Sequence, residues 1–192
     1  RGITMTQKLP IWQVDAFSGQ RFGGNPAAVV PLDAWLPDAT LLAIAAENNL
    51  AETAYIMREG GEFRIRWFTP TEEVPLCGHA TLASAWVVLH RLEPARQLVV
   101  FQSLSGPLTV ERAGERLVMD FPSRRAEAAP PAAGLLEALG RKPAAVLLSA
   151  RAKNFLLVYG SADEVRALQP DFAALARIEG HGVIGTAAGS GG

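Results

Sequence analysis

The stretch Val74-Pro-Leu-Cys-Gly-His-Ala-Thr-Leu-Ala-Ser-Ala-Trp-Val-Val-Leu-His90 decides the expected fold, because it predicts a helix that is apolar on nearly every side. Such a helix belongs at the centre of a domain. Its first turn would direct free backbone N–H groups and the positive end of the helix dipole inward, which favours a small anionic ligand. Cys77 and His79 lie at this end, and both residue types can exchange protons. The sequence therefore indicates a carboxylate-binding pocket with acid–base chemistry beside it.

The composition of the chain excludes several classes of protein. Of its 192 residues 49% are hydrophobic and 19% charged, enough to form one large domain or two small ones. The formal net charge of −1 provides no basic surface for nucleic acid or acidic membranes, and the longest apolar stretch is too short to cross a bilayer. The single cysteine excludes an internal disulfide framework and fits a reducing cytoplasm, where we expect the protein. With three scattered histidines, the chain predicts no structural metal site.

The elements around the central helix predict an α+β fold with mostly antiparallel strands. A second helix begins near Pro37 and Asp38 and ends at Asn48-Asn49, since asparagine tolerates the left-handed conformation. A Gly60-Gly61 turn joins two strands as a hairpin. The predicted strands of this part are residues 12–17, 27–30, 52–58, 62–68, 98–102, 107–112 and 116–121.

The domain boundaries follow from changes in composition along the chain. Residues 1–4, ahead of Met5, are expected to be a cloning remnant, and residues 5–123 form the first domain. Residues 124–134 are rich in Ala, Pro and charge and predict a linker. Residues 135–192 form a partial second domain, with helices at 135–139 and from 163, and strands near 145–148, 154–159 and 182–187.

Glu52 is the first candidate for acid–base chemistry. Strand alternation places it on the same side as Ala54 and Ile56, a face that should point inward. Desolvation of a carboxyl there raises its pKa toward the range useful for proton transfer. From the residues alone, a solvated glutamate at a strand start is the simpler alternative.

The other candidates surround the start of the central helix. Gly78 lets a ligand approach the backbone, and His79 either holds a substrate carboxylate or satisfies only backbone groups. Cys77 is an alternative base, activated by the helix N-terminus, or a small buried hydrophobe, which is the simpler reading. Asn25, in Gly23-Gly-Asn-Pro-Ala27, is either a turn residue or a pocket-lining amide. His90 and His181 are expected to carry no chemistry.

Five motifs occur in order and together resemble a known family. They are Val14-Asp-Ala-Phe17, Phe22-Gly-Gly-Asn-Pro-Ala-Ala-Val29, Asn49-Leu-Ala-Glu-Thr-Ala-Tyr55, Trp67-Phe-Thr-Pro70 and Leu76-Cys-Gly-His-Ala-Thr-Leu-Ala-Ser84. This series is similar to the phenazine-biosynthesis PhzF-like isomerases, which share the diaminopimelate epimerase fold. The resemblance is specific over residues 9–121 and looser from residue 135 onward.

The resemblance implies two similar domains, each a curved sheet wrapped round a central helix, with the active site between them. It implies a cofactor-independent isomerase acting on trans-2,3-dihydro-3-hydroxyanthranilate or a similar small carboxylate. The family's catalytic glutamate falls on Glu52, and its substrate-binding pair falls on Gly78 and His79. Related racemases place a cysteine base at Cys77, which keeps a Cys-dependent racemase as the alternative, together with a non-catalytic binding protein. The resemblance also implies a homodimer.

The sequence departs from this family in its last part. Family members carry a late Glu-Asp-Pro-Val-Thr-Gly-Ser-Ala-type motif, which is absent from these residues. We therefore expect a C-terminally truncated chain with weak or no activity, because a one-sided site neither excludes water nor fixes a substrate.

Overall fold

The computed structural model describes residues 8–121, 123–150, 153–180 and 182–189. Two compact units divide after Phe121. Residues 1–4, expected to be a cloning remnant, lie outside the described residues. Each unit has its own sheet, so the α+β prediction is confirmed.

The first unit contains an eight-stranded sheet in the order β1-β2-β3-β4-β6-β7-β8, with β5 paired to β4. Neighbouring strands are antiparallel except for the parallel pairs β2–β3 and β4–β6. The turn at Gly60-Gly61 joins β3 and β4 as predicted. The strands are β1 (Trp12–Ala16), β2 (Asn25–Leu32), β3 (Glu52–Glu59), β4 (Glu62–Phe68), β5 (Glu73–Val74), β6 (Leu98–Ser103), β7 (Gly106–Ala113) and β8 (Arg116–Met119).

The central helix α2 (Gly78–Val87) lies inside the curl of this sheet. It packs against β2 and β3 and also against the two edge strands, β1 and β8. Its buried residues occur on every side, as the apolar sequence predicted. The helix then continues as a wider π-type turn over Val88–Leu92. There the Arg112 guanidinium donates a hydrogen bond to the Leu89 carbonyl. This bond gives a partner to a backbone carbonyl at the end of the helix, where such groups lack one within the helix.

The second helix of this unit, α1 (Asp38–Asn48), covers the outer face of the sheet. Asn49 ends it in the left-handed conformation, with φ 50°, as predicted, and its N–H donates to the Ala45 carbonyl. The Tyr55 hydroxyl donates a 2.6 Å hydrogen bond to the Leu41 carbonyl, which ties α1 to β3. The sheet is therefore covered on both faces, with α2 inside and α1 outside.

The second unit has a four-stranded sheet in the order β12-β11-β10-β9, in which β11 and β12 are parallel. Glu127–Ala128, expected in a linker, forms strand β9 and pairs with β10 instead, because its backbone completes the hydrogen bonding of that edge. The other elements are α3 (Leu135–Leu139), β10 (Ala145–Ser149), β11 (Asn154–Val158), α4 (Ala162–Arg166), α5 (Phe172–Leu175) and β12 (Gly182–Thr186).

The core of the second unit is small. Its buried apolar members are Leu135, Leu139, Phe155, Leu157 and Tyr159. In the part of the chain that the structure describes, no helix of either unit is long and apolar enough to span a membrane.

Candidate active site

Glu52 is the first residue of β3, and the sheet directs its side chain toward α2. In the parallel register Glu52 pairs with Ala27, which belongs to the inner core together with Ala54 and Ile56. Because side chains alternate along a strand, Glu52 shares this inner face. Its side chain keeps only 20% of its exposure. The sequence prediction of an inward-facing, partly desolvated carboxyl agrees with this position.

The N-terminus of α2 approaches Glu52 from the inside of the sheet. Cys77, with extended backbone (φ −142°), precedes the helix, and Gly78 is its first residue. The side chain of Cys77, which occupies the N-cap position, makes no capping hydrogen bond with the described residues. The Phe121 ring lies close to Gly78, such that a Cβ there would be 3.6 Å from Phe121 Cζ, an ordinary contact. The first backbone N–H groups of a helix have no partner within it, so this end suits an acceptor group from a ligand.

Three side chains that can exchange protons meet at this point. His79 Nε2 lies 3.2 Å from Glu52 Oε2, and His79 Nδ1 lies 3.5 Å from Cys77 Sγ. The approach of Nε2 to Oε2 does not have hydrogen-bond geometry, so both buried atoms lack a hydrogen-bond partner among the described residues. His79 retains only 9% of its exposure. Buried polar atoms of this kind are costly unless a ligand uses them.

Burial, followed by the nearby Glu52 carboxylate, raises the pKa of the Cys77 thiol from 9.0 to about 12. The backbone N–H groups of Ala80 and His79 act in the opposite direction but are outweighed. The thiol is therefore protonated at neutral pH. Since the thiolate is the reactive form, this environment disfavours Cys77 as a base.

Asn25, the remaining predicted site residue, begins β2 and is exposed. It lies two residues before Ala27, the strand partner of Glu52, and therefore on the same face of the sheet. The turn before it contains Gly24 in the left-handed region, with φ +75°. The structure thus places the Asn25 amide on the face that carries Glu52, at the strand end.

Trp67, the first residue of the Trp67-Phe-Thr-Pro70 motif, was not among the predicted site residues. It is 1% exposed, packs in the same apolar cluster as Cys77, and pairs in register with Ala54 next to the candidate site. Its Nε1 has no hydrogen-bond partner within the described ranges. A buried indole N–H usually has a hydrogen-bond acceptor. A tryptophan in a predicted core strand was therefore the sequence signal that a polar group lies at this position.

The two remaining histidines do not enter this cluster. His90 Nδ1 lies 3.0 Å from the Trp86 carbonyl oxygen, and its Nε2 lies 3.2 Å from the Arg112 guanidinium. Both nitrogens therefore have structural partners at the end of the central helix. His181 lies outside the described residues.

Comparison with known proteins identifies the family. A family model described as phenazine biosynthesis-like protein, PhzC-PhzF, matches residues 14–192. The chain belongs to this phenazine biosynthesis-like family. An uncharacterized isomerase of Pseudomonas aeruginosa, PA2770, is 51% identical over 180 residues, which cover 94% of this chain and 68% of that protein. A second isomerase from the same organism, PA3578, is 50% identical over 182 residues.

Solved structures of the phenazine biosynthesis-like family share this fold. A PhzF family protein from Enterococcus faecalis is 42% identical with a TM-score of 0.85, covering 95% of this chain and 70% of that one. A predicted epimerase from Pseudomonas aeruginosa, PA4716, is 26% identical with a TM-score of 0.68, covering 92% and 69%. The expectation of a diaminopimelate epimerase-like fold is confirmed, and the named relatives support an isomerase.

Proposed function

We propose that this protein is a cofactor-independent isomerase that moves a proton on a small carboxylate-bearing substrate, with Glu52 as the general acid/base. One observation carries this proposal: a partly buried carboxylate faces a buried histidine at the open end of a central helix. Glu52 Oε2 and His79 Nε2 lie 3.2 Å apart, and within the described ranges neither atom has a hydrogen-bond partner.

The proposed roles follow from the position of each group. A carboxylate can remove a proton from carbon and return it to another atom of the same substrate without leaving the site. His79 and the backbone at Gly78 would hold the substrate carboxylate, since the helix N-terminus favours negative charge. Asn25, on the same sheet face as Glu52, would contribute an amide contact. We propose a molecule similar to trans-2,3-dihydro-3-hydroxyanthranilate as the substrate, and a homodimer as the assembly, which light scattering would test.

The decisive experiment follows substrate protons in deuterated water. With trans-2,3-dihydro-3-hydroxyanthranilate as the probe, the Glu52→Gln variant should lose turnover and exchange by roughly 10²–10⁴-fold, the usual contribution of general acid–base catalysis. Glu59→Gln is the matched control, because Glu59 ends the same strand and its carboxylate forms an exposed ion pair with Arg64. Normal turnover by folded Glu52→Gln would show that the mechanism is wrong.

The two alternatives give different results in the same assay. A Cys-dependent racemase would lose exchange at an amino-acid α-carbon in Cys77→Ser, whereas a Glu52-dependent isomerase would retain its activity in that variant. The protonated state of the buried thiol argues against the racemase. A non-catalytic binding protein would exchange no substrate proton in any variant, yet would still bind a carboxylate ligand.

A further inference from the structure

The two side chains that the proposed reaction uses, Glu52 and His79, form a set of metal donor atoms together with Cys77, which that reaction does not use. Glu52, Cys77 and His79 each offer one ligand atom, and these atoms lie within 4.8 Å of one another. Thiolate, imidazole and carboxylate are the three groups that proteins use to bind zinc. With zinc–ligand bonds of about 2.0–2.3 Å, the ligand atoms of a tetrahedral site are roughly 3.5 Å apart. The distance of 3.5 Å between Cys77 Sγ and His79 Nδ1 matches this spacing.

The unpartnered atoms at this position are a second and independent observation. The His79 side chain is more than nine-tenths buried, and its Nε2 has no hydrogen-bond partner in the described part of the chain. Glu52 Oε2, which faces this nitrogen, is also buried and also lacks a hydrogen-bond partner among the described residues. Nδ1 of His79 lies beside Cys77 Sγ and Nε2 lies beside Glu52 Oε2, and a bound cation would take only one of these nitrogens together with a carboxylate oxygen. The other ring nitrogen would remain available for a hydrogen bond that orients the ring.

We propose that Glu52, Cys77 and His79 form a binding site for a thiophilic divalent cation such as Zn²⁺ or Cd²⁺. The cation would bind the Cys77 sulfur, one nitrogen of His79 and one oxygen of Glu52, with solvent completing its coordination. On binding, the S–H bond breaks, a bond from sulfur to the metal forms, and the proton passes to solvent, with no change of oxidation state. Three protein ligands define an open site, which differs from the closed four-ligand structural sites that the sequence excluded.

Occupation of this site has a functional consequence. A cation held by Glu52 and His79 removes both from proton transfer and substrate binding, so the metal acts as an inhibitor that competes with the substrate. This consequence rests on the proposed function. The binding itself does not, because it depends only on the three donor atoms.

The test is titration of the protein with Cd²⁺ alone, followed by the ultraviolet charge-transfer absorption of a cadmium–thiolate bond. We expect saturation at one Cd²⁺ per chain. The variants His79→Gln and Glu52→Gln retain the only cysteine, and each should weaken binding by at least about tenfold, since loss of even a supporting group costs about 10–100-fold. His90→Gln should bind normally, because His90 is engaged with Trp86 and Arg112. Mg²⁺, which prefers oxygen ligands, should not compete.

Two results would overturn the proposal. One is the absence of the thiolate band in folded protein, and the other is a band whose affinity is unchanged in both His79→Gln and Glu52→Gln, which would indicate a lone thiol. Far-ultraviolet circular dichroism establishes whether each variant folds. If one of the two variants does not fold, the affinity of the other for Cd²⁺ decides the test. Cadmium binding without isomerase activity would contradict only the proposed function, whereas activity without cadmium binding would contradict only the metal site.

Discussion

At the scale of single residues, the environment of Cys77 separates two mechanisms that share this fold. Cys77 is 6% exposed, and burial is the largest cause that raises the pKa of its thiol to about 12. A cysteine base requires the opposite, a thiolate that forms readily near neutral pH. The buried thiol therefore argues against a cysteine base and leaves Glu52 as the candidate for proton transfer.

The state of Cys77 can be measured directly, because it is the only cysteine of the chain. With a pKa of about 12, the thiolate fraction at pH 8 is on the order of 10⁻⁴, so native protein should react with iodoacetamide far more slowly than protein unfolded in urea. The native rate should still increase with pH above 9, where the rate of an ordinary thiol levels off. Intact-mass spectrometry reports both rates. Rapid labelling of native protein at pH 8 would instead support a cysteine base.

The sequence predicted the strand face on which Glu52 lies, but it did not predict how closely Glu52, Cys77 and His79 approach one another. Alternation along the strand was enough to place Glu52 on the inner face with Ala54 and Ile56. The short distance between Glu52 and His79 depends on the parallel register of β2 and β3 and on the depth of α2 in the curl. These are long-range packing features, and no local pattern encodes them. The lack of a hydrogen-bond partner for Trp67 Nε1 among the described residues also depends on this packing.

At the scale of elements, the turn between β1 and β2 controls the position of Asn25. Gly24 has φ +75°, and a Cβ there would overlap the Ala16 carbonyl oxygen and press on the Ser18 side chain. Ala16 is the strand partner of Asn25, so the overlap cannot be relieved without displacing the start of β2.

Gly24→Ala should therefore lower the free energy of unfolding by more than the roughly 1–2 kcal/mol that left-handed backbone alone costs an L-residue. Gly60→Ala is the matched control, because Gly60 has φ +62° with no atom close to the added Cβ. Urea unfolding of both variants measures the difference. Equal losses in the two variants would mean that the turn relaxes and that β2 is not held by this contact.

Local sequence signals predicted the helix and strand ends that are determined by residues at those ends. Asn49 ends α1 as expected, and Gly60-Gly61 forms the hairpin turn. Strand β9 was missed because two residues among Ala and Pro carry no alternation, and its backbone pairs only because β10 offers an edge. The π-type turn after Val87 likewise depends on Arg112, which comes from a distant strand.

At the scale of the whole molecule, the two units differ in the cores that stabilise them. The first unit has a large core around α2 and a second one beneath α1. The second unit has a single small core formed by short helices and a four-stranded sheet. Because small units bury a smaller fraction of their surface, we expect the second unit to unfold first.

The four tryptophans, Trp12, Trp35, Trp67 and Trp86, all belong to the first unit, so their fluorescence reports on that unit alone. In urea, far-ultraviolet circular dichroism should begin to decrease before tryptophan fluorescence changes. Coincident transitions by both probes would show a single cooperative unit. The Trp67→Phe variant, which keeps an aromatic ring in the core, serves to assign the fluorescence change to the inner core.

The facing pair of Glu52 Oε2 and His79 Nε2 implies that the proposed activity has a cost in stability. Two buried atoms that find no hydrogen-bond partner in the described part of the chain weaken the ligand-free fold. Glu52→Met, which keeps the length of the side chain and removes its charge, should raise the free energy of unfolding by about 1 kcal/mol while abolishing proton transfer. Chemical denaturation would detect this gain, and a loss of stability would mean that the carboxylate supports the fold. Stabilising substitutions should therefore be easiest to find at the positions on which the proposed reaction depends.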